Sequence, residues 1–157
     1  MNYQQKDSIL ALLKMNAISR NYNTHYWFSY TDFLDSTDYY TDFSCDRLDG
    51  KLRYITLIES LLAIDETARV YVQVYGFEDD QDDNKQFIYA DTLIIFSKLP
   101  LDEIKHIFNE SQDIRPSNIG EVLDCLQSAF LIGDDGKPIP STTLLEDDHS
   151  VYFCWWD

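Results

Sequence analysis

Glycine is scarce in this chain, five residues in 157, and none gathers into the Gly-rich turn that cradles a phosphate. Cysteine is scarcer: Cys45, Cys125 and Cys154 are odd in number, widely spaced and free of any CxxC. That pattern excludes a disulfide framework and points to reduced thiols in a cytoplasmic protein. The three histidines, His25, His106 and His149, form no HxH or HExxH pair. No run approaches the roughly 18 apolar residues of a membrane span. Residues 1–14 also lack the apolar stretch and small-residue cleavage site of a secretory leader. Basic residues are few as well: 12 Lys and Arg face 28 Asp and Glu, a formal net charge of −16. A body this negative repels nucleic acid and anionic membranes and attracts cationic surfaces. Neither direct nucleic-acid binding nor a membrane partner is expected.

What is present argues for a folded chain. Hydrophobic residues make up 45% and aromatics 15%, with eleven Tyr, nine Phe and three Trp, whereas disordered acidic segments are poor in aromatics. The length suits a single domain with one substantial core. Residues 6–20 place Ile9, Leu10, Leu13 and Ala17 at helical spacing, with Asp7 and Ser8 as capping candidates. Residues 25–30 have strand composition. Asp32, Asp35, Asp38, Asp42, Asp46 and Asp49 then recur every three or four residues. In a helix these carboxylates would line one face, but Asp is a poor helix former and an irregular acidic loop fits equally.

Residues 46–64 read as a central helix, capped at Asp46, with a stripe of Leu48, Leu52, Ile55, Ile58 and Leu62 widened by Leu57 and Leu61. Residues 69–77 alternate Val70, Val72 and Val74 with Tyr71, Gln73 and Tyr75, and residues 86–96 form a second strand. The polar connection 78–85 makes the two a hairpin with five acids at its tip. A helix follows over 101–109, then a short one after Asn118 carrying Val122, Leu123 and Leu126, a turn at 133–138, and a terminal strand over 150–156. The order implies one α+β domain over residues 1–157, a mostly antiparallel sheet packed with about four helices.

Little of this carries chemistry. His149 lies five residues before Cys154 without further ligands in reach of the sequence, and buried thiols are ordinary core filler. The hairpin tip is Asp-rich but lacks the central Gly and the closing Glu of a calcium loop. It suits either a solvated loop that guards a sheet edge or a partner contact. Acid–base catalysis needs a carboxyl raised by burial, and the dense acidic clusters read as exposed. No enzyme activity, cofactor or metal is expected. In the terminal strand Trp155 and Trp156 must face opposite sides. One can fill the core, or Trp156 can anchor an interface.

With the Trp27-Phe28 strand, the acidic segment 78–83 and the aromatic strand 151–157, the chain resembles bacterial immunity proteins, the cognate inhibitors of secreted or contact-delivered toxins. The resemblance implies a tight one-to-one complex with a toxin domain, often a cationic nuclease whose active site the inhibitor covers. The expected recognition residues are Asp32, Asp35, Asp38, Tyr39, Tyr40, Asp42, Glu78, Asp79, Asp80, Asp82, Asp83 and Trp156. The alternative is a DNA mimic of the anti-restriction kind. Duplex DNA carries one charge per about 1.7 Å of axis, against about 5.4 Å between carboxylates one helical turn apart. A third class is a housekeeping domain with a small-ligand pocket, its acidity serving solubility.

Overall fold

Val70, Val72 and Val74 on one side and Tyr71 on the other give residues 70–74 two buried faces, and the rest of the chain is built around them. The structure, a computed structural model, describes residues 1–35, 37–44, 48–80, 85–111, 114–122 and 126–157. In chain order the helices and strands are α1 (Tyr3–Ser19), β1 (His25–Ser29), α2 (Tyr30–Phe33), β2 (Thr41–Phe43), α3 (Leu48–Ile64), β3 (Arg69–Asp80), β4 (Lys85–Ser97), α4 (Leu101–Asn109), β5 (Asn118–Glu121), β6 (Ala129–Ile132), β7 (Pro138–Pro140) and β8 (Ser150–Trp155). Short 3-10 turns cover Leu126–Ser128 and Ser141–Leu144. The eight strands form one sheet in the order β5-β8-β4-β3-β1-β6-β7, with β2 added beside β4. Only β1–β6 and β2–β4 pair in parallel. The result is the α+β domain expected, a mostly antiparallel sheet with four helices among the described residues.

Both faces of the sheet are covered at its centre. Val70, Val72 and Val74 join Ile9 of α1, Ile58 and Leu61 of α3, and Ile104 and Phe108 of α4 in the larger cluster. On the opposite face Trp27, Tyr71, Ile94, Phe96, Ala129 and Val151 form a second cluster, packed over by Val122, Leu126, Leu144 and Phe153. Trp27 and Phe28 are adjacent and both fully buried, one in each cluster, as strand alternation requires. The Trp27 indole donates to Gln73 Oε1 at 3.0 Å, so its one polar atom is matched inside the layer.

The structure departs from the sequence expectation in three places. Helix α1 starts at Tyr3, not near Asp7: Asn2 Oδ1 accepts from Gln5 N at 2.9 Å and Gln5 Oε1 from Asn2 N at 3.0 Å, a reciprocal cap. Of the two readings open for the acids of residues 32–42, the non-helical one holds, because α2 ends at Phe33 and Asp42 sits in β2. Residues 118–121 are strand β5 where a helix start was expected; the open edge of β8 pairs with all four and outcompetes so short a helix. The hairpin ladder runs on through Glu78↔Phe87, Asp79↔Gln86 and Asp80↔Lys85, so these acids are strand residues and not part of a loop. Asp82 and Asp83, the Asp46 cap, Cys45, Cys125 and Leu123 lie outside the described residues.

Candidate protein-binding face

The pairing of β2 with β4 joins the two acidic segments. Thr41 and Phe43 turn inward and are buried, so Asp42 between them points to the opposite face of the sheet. There it lies in register with Tyr89, whose hydroxyl donates to Glu78 Oε2 at 2.8 Å. Tyr89 stacks on Tyr75 with ring centroids 6.3 Å apart. Burial first, then the Glu78 hydrogen bond and the nearby charges of Glu78 and Asp42, push the Tyr89 phenol up to about 12. Asp79 accepts from Gln86 Nε2 at 2.6 Å and lies 3.8 Å from Lys14 of α1. Asp42 and Glu78, distant in sequence, thus share one end of the sheet with a pair of tyrosines, while Asp79 alternates to the α1 side.

The remaining expected residues divide. Tyr39 is 67% exposed. Tyr40 carries the Lys6 amine 3.8 Å over its ring and leans on Phe87, while Asp80 stands opposite Lys85 at the end of the ladder. Asp32, Asp35 and Asp38 are occupied inside the chain. The Asp32 carboxylate accepts from Gln5 Nε2 at 3.0 Å, and its carbonyl accepts from the Met1 amine at 2.7 Å. Asp35 Oδ1 accepts from the backbone and the hydroxyl of Thr37, which holds its carboxyl below the ordinary range. Asp38 pairs with the Met1 amine at 3.4 Å. These three brace the segment that delivers Asp42 to the face.

Lys51 completes that brace. Only 3% exposed, its amine donates to the Asp38 carbonyl and, at 2.8 Å, to Thr41 Oγ1. Burial lowers its pKa, opposed by the charges of Asp38, Asp42 and Asp35. Lys51→Met keeps the apolar stem and removes the donor, leaving those acceptors unmatched. We expect a loss of about 2 kcal/mol, read from the urea midpoint; an unchanged midpoint would mean the amine does not hold residues 38–41.

Trp156 is not on this face. It is 6% exposed, packed edge-on against Phe43 and Tyr54, with Nε1 donating to the Ile114 carbonyl at 2.7 Å. An indole so enclosed cannot anchor a partner. It is Trp155 that turns to the other side, half-buried, where its Nε1 donates to Asp91 Oδ2 at 3.0 Å.

Sequence reasoning missed Asp91, Tyr75, Tyr89 and Trp155. Tyr75 and Asp91 are each skipped by the β3–β4 ladder, where the register slips on either side of Val74. The visible signal was Asp91-Thr92, a polar break just before the apolar run 93–96. Beside this bulge a cleft of about 500 Å³ opens between the C-terminal half of α1 and the sheet. A second cleft, about 470 Å³, lies between α3 and α4, lined by Leu52, Leu57, Ile64 and Ile107 together with Arg53, Thr56, Ser60 and Glu110.

At the far end of the sheet Glu146, Asp148 and His149, near neighbours in sequence, bring their ligand atoms within 4.8 Å of one another. Arg69 already pairs with Glu146, and Lys98 with Asp148 at 2.9 Å. The His149 ring is held by Asp148 at Nδ1 and by Thr67 at Nε2, so this group ties β8 to the α3–β3 turn. Cys154 is fully buried, and burial raises its thiol far from a reactive thiolate. No helix among the described residues is long and apolar enough to cross a membrane. The chain matches no protein-family model, no curated protein and no solved structure.

Proposed function

We propose that this chain is an acidic protein-binding inhibitor that neutralises a cognate bacterial toxin domain, a cationic nuclease in the first instance, by covering its active site in the cytoplasm. The observation that carries this reading is the β2–β4 pairing, which sets Asp42 beside Tyr89, itself bonded to Glu78 and stacked on Tyr75. A nuclease cleft is positive because it must hold phosphates. Carboxylates gathered opposite it steer the encounter, and tyrosines supply the desolvated contacts that slow dissociation. The alternative, a DNA mimic, needs the acids to form one elongated surface; the engagement of Asp32, Asp35 and Asp38 with Gln5, Thr37 and the Met1 amine favours the first reading.

The test begins with immobilised chain, host lysate and salt elution. The reading expects a basic toxin domain whose activity this chain abolishes at equimolar ratio. Reversing Asp42, Glu78 and Asp79 to Lys together should slow association with that domain at least tenfold at low salt and flatten its salt dependence. Unaltered rates would remove this face from the complex, and a captured domain left fully active would remove the inhibitor reading.

A further inference from the structure

The cleft beside the bulge holds a carboxylate that the protein fixes in place and does not neutralise. Asp91 Oδ1 accepts from Thr92 Oγ1 at 2.6 Å and Oδ2 from Trp155 Nε1 at 3.0 Å. Its carbonyl accepts from Trp156 N at 2.9 Å, which anchors the bulge to the end of β8. Both side-chain donors are neutral, and among the described residues no Lys or Arg pairs with Asp91. Several other carboxylates have a cationic partner, Asp38 the Met1 amine, Asp79 Lys14, Asp135 Lys137 and Asp148 Lys98, whereas Asp35 and Asp65, like Asp91, accept from neutral donors. Each Asp91 oxygen accepts one bond and retains capacity for another.

The walls suit a cation. Tyr22, Tyr75 and Trp155 line the cleft, Tyr75 being 61% exposed, and no Lys or Arg lines it. His25, the one basic side chain present, has its pKa lowered by burial and is uncharged at neutral pH. A fixed anion in a cleft with aromatic walls can bind guanidinium and ammonium groups through charge and ring quadrupoles together. Locking the carboxylate beforehand removes the ordering cost that a flexible surface acid carries.

We infer that this cleft is a subsite for a basic side chain, arginine above all, inserted by a protein partner, with Asp91 as counter-ion and Tyr22, Tyr75 and Trp155 as its walls. That the side chain belongs to a protein rests on the cationic partner proposed above; the subsite itself does not. Arginine fits better than lysine because its planar head both stacks on rings and donates to several acceptors at once.

The probe is N-acetyl-arginine amide, titrated into the whole chain while the three indole N–H signals are followed by NMR. The Trp155 signal should shift saturably and those of the buried Trp27 and Trp156 should not. N-acetyl-citrulline amide, equal in shape but neutral, should bind at least tenfold more weakly. Asp91→Asn should weaken arginine binding at least tenfold, and Tyr75→Ala, which leaves both Asp91 donors in place, several-fold even if the first variant does not fold. Equal binding of citrulline, or shifts spread over the acidic face with Trp155 unmoved, would overturn the subsite. Tetramethylammonium binding more tightly than arginine amide would overturn the side-chain assignment in favour of a free small cation. A saturable arginine site alongside unaltered partner association in the Asp42, Glu78 and Asp79 reversal would separate the subsite from the face.

Discussion

Trp156→Ala should destabilise the fold by about 4 kcal/mol, the upper part of the range for deleting a buried aromatic side chain. The indole lies at the centre of a three-ring cluster, its centroid 5.5 Å from Phe43 and 5.0 Å from Tyr54, both near perpendicular. Edge-to-face pairs of this kind add to simple area burial. Truncation also strands the carbonyl of buried Ile114, which receives the indole N–H at 2.7 Å. The three rings come from β2, α3 and the residue after β8, so the loss weakens the packing that joins these elements. Trp156→Phe keeps one ring but loses the hydrogen bond and part of the buried volume, for a loss of about 2 kcal/mol. Urea denaturation of the two variants shows how much the remaining ring preserves, and a midpoint unmoved in the Ala variant would place Trp156 outside the core. The folded Phe variant should bind partner like the parent, since its site is enclosed.

The parts of this fold that were legible are those whose burial pattern is local. Val70, Val72 and Val74 repeat every second residue and Ile55, Ile58 and Leu62 every third or fourth, so β3 and α3 announce themselves. Strands β2 and β5 do not, because three or four residues carry no period of their own and become strands only when β4 and β8 offer free edges. The same limit governs the site. Strand alternation puts Trp155 and Trp156 on opposite faces, but which face the helices cover depends on elements far away in sequence. The even spacing of Asp32, Asp35, Asp38 and Asp42 suggested one shared role. In the fold three of them hold the chain terminus and a tight turn, and only Asp42 is delivered to the face. Asp91 escaped notice because a single acid ahead of an apolar run gains meaning only from the bulge that exposes it and the indole that orients it.

Asp65→Ala should lower stability by about 3 kcal/mol at neutral pH, the cost of leaving several buried donors unmatched. Asp65 sits just past α3, 7% exposed. Its Oδ1 accepts from Thr67 N at 3.0 Å and Thr67 Oγ1 at 2.6 Å; its Oδ2 accepts from Ser97 Oγ at 2.7 Å and Lys98 N at 2.9 Å. One carboxylate therefore joins the start of β3 to the end of β4, and Thr67 extends the link to His149 before β8. Burial alone would raise its pKa, but hydrogen bonds from the Thr67 and Ser97 side chains and the Lys98 and Thr67 amides outweigh it and hold the carboxyl well below the ordinary value. The unfolded chain, with Asp near pKa about 3.9, takes up that proton first as pH falls. The stabilisation is thus fully present above the unfolded value and drains away as pH drops through the depressed folded one. The gap between parent and Ala variant should stay constant from neutral pH down to about 5 and narrow below about 4. Asp65→Asn, similar in shape but bearing an NH2 that must face one pair of donors, should recover little of the loss. A gap that widened on acidification would mean the fold holds Asp65 in its protonated form, and the network would then have to be drawn with the carboxyl as a donor.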